Sequence, residues 1–173
     1  QRLALARALA CEPRYLLLDE PFVHLDQRLR LKITNYLLKL NKLRNTAIVL
    51  VSHDGSELLG LVNRMIHIGH KKIIRDDNPH NVYYHPQNKE QGELLGILNE
   101  AIIDNVLILF RPNEYCEVGE GAKLNLVFER SINLGINFLS YFHTHNDETI
   151  VLSSSFSLKE LGTIYICKHE NRS

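Results

Sequence analysis

The order of apolar runs and helical pattern predicts an α/β unit followed by a smaller β-rich unit. Two short apolar runs, Tyr15–Asp19 and Ala47–Val51, flank a long stretch with helical periodicity. A strand, a helix and a strand in that order point to a parallel pair. From Ala101 onward, short strand-like segments alternate with turn formers, as in a small β-barrel or sandwich. Charge divides the chain in the same way. Residues 1–75 carry 13 Lys or Arg and 6 Asp or Glu, whereas residues 76–173 carry 7 and 14, so a net charge of zero hides +7 and −7. The reversal predicts a boundary near Asp76-Asp77-Asn78-Pro79.

Each element has a local cause. Residues 1–11 are rich in Ala and Leu, strong helix formers, and Glu12-Pro13 stops them. Four apolar residues, Tyr15-Leu16-Leu17-Leu18, precede Asp19 and predict a strand buried on both faces. Asp26 is placed to cap a helix running to about Asn41, with Leu29, Ile33, Tyr36, Leu37 and Leu40 on one face. Residues 47–52 are β-branched enough for a second buried strand. A short helix is expected near residues 56–62, then a hairpin of residues 65–69 and 71–75 turning at Gly69-His70. Residues 78–86 read as a turn, one short helix and a stop, and a second helix is expected over about residues 89–95, ending at Gly96. The strands expected beyond them are residues 106–110, 123–129, 136–142, 149–151 and 163–168, with a turn at Val118-Gly119-Glu120-Gly121.

Composition excludes several classes. An apolar content of 45% with 23% charge is that of a folded chain. The apolar runs are far shorter than the roughly 20 residues a membrane-spanning helix needs. No secretory signal pattern is visible. Cys11, Cys116 and Cys167 are few and widely spaced, which predicts reduced cytosolic thiols. The basic half lacks interleaved aromatics, so nucleic acid is not an expected partner. His143 and His145 stand two apart. Two ligands do not make a metal site, and they read as surface histidines.

The chemistry concentrates at Asp19 and Glu20. Adjacent carboxylates repel each other and are costly to desolvate. At the carboxyl end of a buried strand, where open α/β sheets bind ligands, one can serve a hydrated Mg²⁺ and the other a reacting water. The plain alternative is a strand ending in a polar turn.

The flanking residues extend this reading. Gln1-Arg2-Leu3-Ala4-Leu5-Ala6-Arg7-Ala8-Leu9-Ala10, then Asp19-Glu20-Pro21, Leu25-Asp26, and Ser52-His53-Asp54 stand in an order that resembles the ATP-binding subunit of ABC transporters. The resemblance implies part of a P-loop NTPase fold, with residues 16–19 as the Walker B strand. It implies Glu20 as catalytic base, His53 as the switch histidine, Asp26 as the D-loop aspartate at the nucleotide, and Asp19 as the Mg²⁺ partner through water. Val23 stands where the family often has serine, which removes a hydroxyl from the dimer interface.

The phosphate-cradling G-x-x-x-x-G-K-[ST] loop and the Leu-Ser-Gly-Gly-Gln signature do not occur in the sequence, and the first residue is not methionine. The expectation is therefore the carboxyl-terminal part of a longer subunit. Lys72-Ile73-Ile74, Asn78-Pro79, Val82-Tyr83-Tyr84-His85-Pro86 and Phe110-Arg111-Pro112-Asn113-Glu114 resemble the linker and TOBE accessory domain of the iron, polyamine, sulfate and sugar importers. Asn113 departs from the acid usual there. This divides the chain into an ATPase part (1–75), linker helices (76–100) and a TOBE-like regulatory domain (101–173). ATP and Mg²⁺ are the implied cofactors. A second ATPase subunit and membrane permease subunits are the implied partners, with the protein cytoplasmic and peripheral on the inner face of the membrane. An ABC ATPase of repair or translation, and a catalytically inert regulatory module, are the alternatives.

Overall fold

A computed structural model describes residues 2–11, 13–119 and 121–167. Gln1, Glu12, Glu120 and Lys168, expected at a helix start, a helix stop, a turn and a strand end, lie outside the described residues. The chain separates into two compact units, with the division between Arg64 and Met65.

The first unit opens with α1 (Arg2–Ala10), followed by β1 (Tyr15–Asp19), α2 (Gln27–Arg44), β2 (Ala47–Val51) and a 3₁₀ turn, Gly55–Leu58. β1 and β2 pair in parallel, from Tyr15 opposite Ala47 to Asp19 opposite Val51. The ladder is started by Ala47 N–H donating to Arg14 O at 2.9 Å. The Thr46 hydroxyl donates to Pro13 O at 3.0 Å beside it. α2 begins as expected, with Asp26 accepting from Leu29 N–H at 2.8 Å. It ends at Asn45, whose φ of +52° is the left-handed cap that asparagine tolerates.

Burial of β1 on both faces is not what the structure shows. Leu16 and Leu18 are buried, but Tyr15 and Leu17 are 70% and 76% exposed. Val49 and Val51 of β2 are exposed as well. A four-residue apolar run cannot say how many layers cover it. Here α2, through buried Leu37 and Leu40, supplies the layer that packs on β2.

The second unit begins with the hairpin β3 (Met65–Gly69) and β4 (Lys72–Asp77), turning through His70 and Lys71, both at positive φ. The charge reversal near Asp76 thus falls inside a unit. Charge records composition, whereas side-chain bonds tie this hairpin to the helical segment after it. The Arg75 guanidinium donates to Asp77 at 3.0 Å, to Asn81 O at 3.1 Å and to His85 O. That segment holds two capped helices, α3 (Pro79–Tyr84) under Asn78 and α4 (Lys89–Glu93) under Asn88.

The remaining strands are β5 (Asn99–Ile103), β6 (Val106–Phe110), β7 (Tyr115–Cys116), β8 (Ala122–Asn125), β9 (Val127–Asn133), β10 (Phe138–His143), β11 (Thr149–Ser154) and β12 (Thr163–Ile166). They pair as a β5–β6 hairpin and two three-stranded sheets, β7-β12-β8 and β11-β10-β9, rather than as one closed ladder. Phe110, Phe142, Ile150, Leu152 and Ile164 meet in a shared core. The Asn99 side chain pairs with both the N–H and the C=O of Val151 at 2.8 Å, imitating a strand neighbour.

Reduced thiols throughout is corrected by a Cys116–Cys167 disulfide, while Cys11 is free and exposed. The antiparallel pairing of β7 with β12 sets Tyr165 opposite Cys116 and brings Cys167 within a Cα–Cα distance of 6.1 Å. At a sequence separation of 51, only the strand pairing reveals this proximity.

Arg111 organises the approach from helices to sheets. It is fully buried and spends its N–H groups on four backbone carbonyls. Nε donates to Tyr83 O at 2.8 Å, Nη1 to Gly96 O and Ile97 O at 3.2 and 3.0 Å, and Nη2 to Gly92 O at 3.1 Å. The Tyr83 ring lies 4.1 Å beneath the guanidinium carbon. A Cβ at Gly92 would meet the Leu98 Cδ2 methyl at 2.5 Å, so a side chain there would require Leu98 to move. Lysine cannot reproduce the planar fork. Leaving several buried carbonyls unpaired costs about 1–3 kcal/mol each. Arg111→Lys should therefore destabilise the second unit by about 3 kcal/mol in urea denaturation. A midpoint equal to that of the parent chain would show that the fork carries no stability.

Candidate functional site

The two predicted catalytic residues meet at the carboxyl end of the parallel pair. Glu20 N–H donates to Val51 O at 2.9 Å, extending the ladder one residue beyond Asp19. The chain then leaves the sheet, with Glu20 at φ +48° and His24 at φ +60°. Left-handed backbone costs a residue with a Cβ about 1–2 kcal/mol, and such outliers gather at functional sites. Buried Pro21 and Phe22 anchor this turn.

His53 lies two positions beyond β2. Its backbone N–H donates to Glu20 Oε1 at 2.9 Å, and its ring Nδ1 lies 2.7 Å from the same oxygen. The imidazole hydrogen bond holds the Glu20 carboxyl below its usual pKa, assisted by the backbone bond and the His53 charge. The same bond, with the Glu20 charge, raises the His53 pKa above 6.5. The His53 side chain is 79% exposed and that of Glu20 32%, so the pair faces solvent rather than core. The arrangement offers an ionised proton acceptor oriented by an imidazole.

Asp19 lies exposed at the end of β1. One exposed carboxylate suits a hydrated Mg²⁺, which keeps several of its waters, but is too few ligands to form a site alone. Asp26 is spent at least in part as the α2 cap. His143 ends β10 with Nε2 3.1 Å from Glu129, while His145 lies in the turn after it and not on the strand. No group of three or more metal-ligating side chains occurs among the described residues.

Three supporting residues were not singled out from the sequence. Ser52 accepts from Asp54 N–H at 3.1 Å, and its hydroxyl also favours the charged form of Glu20. Asp54 caps the 3₁₀ turn by accepting from Ser56 N–H at 3.0 Å. Glu57 in that turn pairs with Arg30 of α2 at 2.7 Å, fixing the segment that carries His53. The Ser-His-Asp run hints at the first two. Nothing in the sequence brings Arg30 to Glu57.

Comparison with known proteins agrees with the resemblance. The sulfate/thiosulfate import ATP-binding protein CysA of Pseudomonas syringae pv. tomato is 39% identical over 115 residues, 66% of this chain and 35% of that protein. CysA of Burkholderia mallei is 39% identical over 99 residues, 57% of this chain and 28% of that protein. The Fe(3+) ions import ATP-binding protein FbpC of Haemophilus influenzae strain 86-028NP is 34% identical over 119 residues, 69% and 33%. The chain spans about a third of the length of the curated relatives it matches. No protein-family model matches it. A solved ABC transporter in an inward-facing conformation aligns over 61% of this chain and 42% of its own at 20% identity, with a TM-score of 0.45, too slight a likeness to argue from. These homologues are, by their own names, import ATP-binding proteins, and this chain corresponds to a part of them.

The Glu20–His53 pair should persist between the lowered Glu20 pKa and the raised His53 pKa. Below that window Glu20 protonates, and above it His53 loses its charge. Both groups thus favour the folded site only inside the window. In an NMR titration His53 should ionise above 6.5 in the parent chain and lower in Glu20→Gln. An unchanged His53 titration in the variant would break the assigned contact.

Proposed function

We propose that this chain is part of an ATP-hydrolysing importer subunit and supplies the base, the switch histidine and a Mg²⁺ partner. The observation that carries the reading is Glu20 Oε1 held by both the backbone N–H and the ring Nδ1 of His53. Glu20 is ionised at neutral pH, and its carboxylate, oriented by His53, can take the proton of a water attacking the γ-phosphate. His53 orients that carboxylate through Nδ1 and leaves its exposed ring edge toward the place a terminal phosphate would occupy. Asp19 would hold Mg²⁺ through water, and the ion would neutralise charge on the phosphates. Asp26, beyond its cap, would stand in the D-loop between two ATPase copies.

The remaining assignments rest on the import role of the relatives. The subunit would pair with a second copy and dock on a permease, peripheral to the inner face of the membrane. Residues 1–75 would form the ATPase part, 76–100 the linker and 101–173 the TOBE-like regulatory domain. No described helix is long and apolar enough to cross a bilayer. The relatives carry sulfate, thiosulfate and ferric ions in their own names, and the cargo of this chain is not assigned from them.

In a subunit that joins these residues to a phosphate-binding loop, Glu20→Gln should keep ATP binding and slow phosphate release about 10²–10⁴-fold. Turnover near the parent rate would remove Glu20 from this role. The 173-residue chain itself should neither hydrolyse ATP nor bind Mg-ATP in a saturable way, since its sequence contains no glycine loop. Saturable calorimetric binding would reveal a phosphate site elsewhere in these residues.

A further inference from the structure

The outer face of α2 is built unlike an ordinary solvated helix. Its 18 residues include six Lys or Arg and no Asp or Glu. Arg30 is turned to Glu57 by its ion pair. Arg28, Lys32, Asn35, Lys39 and Lys42 are all exposed, and they succeed one another at helical spacings of four, three, four and three. That spacing places them in one stripe along the helix, about 21 Å long. None of its four basic side chains is ion-paired among the described residues. Two apolar rows border the stripe. Leu31 and Leu38 lie along one side, and Tyr36 and Leu43 along the other, with Leu31 58% and Leu43 78% exposed. The acid next to it, Asp26, has a carboxylate oxygen bound to Leu29 N–H at the helix start.

We propose that this face of α2 binds the surface of an anionic lipid bilayer. The basic stripe matches a plane of phosphate headgroups, and both leucine-bearing rows lie where side chains reach the headgroup–acyl boundary. Lysine and arginine stems extend along that boundary while their charges remain in water. The flanking leucines decide between anionic partners. A nucleic-acid backbone would take up the charges and leave four apolar side chains in water, whereas a bilayer accommodates both. Contact with lipid would hold the first unit at the membrane surface without any permease, so it stands or falls apart from the ATPase assignment.

Vesicle co-sedimentation of the full chain tests this. Vesicles of phosphatidylcholine alone are compared with vesicles containing about 30% phosphatidylglycerol, at low and high salt. The chain should bind the anionic vesicles, release at high salt and ignore the neutral ones. The exposed double substitution Lys32→Gln with Lys39→Gln should weaken partitioning about thirtyfold, in line with the usual gain per basic residue near an anionic surface, while the thermal transition holds. Leu31→Ser with Leu38→Ser should also weaken binding to the anionic vesicles at low salt. Equal binding to neutral vesicles, no loss in the lysine variant, or tighter binding to duplex DNA than to anionic vesicles would overturn the proposal.

Discussion

One register governs the site. β1 and β2 run parallel with Asp19 opposite Val51, and the Glu20 N–H then bonds Val51 O. Both strands therefore end together, and residues far apart in sequence leave the sheet at the same place. A slip of one position would turn every side chain of β1 to the other face. Leu16 and Leu18 would lose their burial and Glu20 its neighbour. The left-handed turn at Glu20 and the buried Phe22 then fix where the chain goes, and α2 returns it to β2. The Glu20–His53 contact is a consequence of this pairing rather than its cause, because both side chains lie open to water.

The second unit depends on a different device. Short helices with little apolar surface cannot hold themselves against a β-rich unit. The Arg111 fork gathers carbonyls from α3, α4 and the segment after α4 onto one planar cation. Glu114 closes the turn by accepting from Arg111 N–H at 2.7 Å. Arg75 does the same on a smaller scale for the β3–β4 hairpin. Two arginines thus replace apolar packing where the chain is least able to supply it.

The sequence made the site legible because its residues sit in short runs with a physical reason for their order. An apolar run ending in carboxylates, and a second ending in Ser-His-Asp, needed only the parallel pairing to meet. What it concealed was set by distance and by layering. The apolar run of β1 does not reveal that Leu17 faces water. The first strand expected beyond the short helices is residues 106–110, yet β5 precedes it, with Asn99 opposite Phe110 in the ladder. Residues 123–129 read as one strand, yet they divide at Leu126, whose N–H goes to Gly162 O. The Cys116–Cys167 bridge and the Arg30–Glu57 pair both join segments that only the fold brings together.

The most direct test of the site is a double-mutant cycle on phosphate release in a subunit that joins these residues to a phosphate-binding loop. If Glu20 and His53 act as one unit, combining Glu20→Gln with His53→Ala should cost no more than the more damaging single substitution. Losses that simply multiply would mean that the two residues act independently, and would contradict the assignment of a common role to their contact.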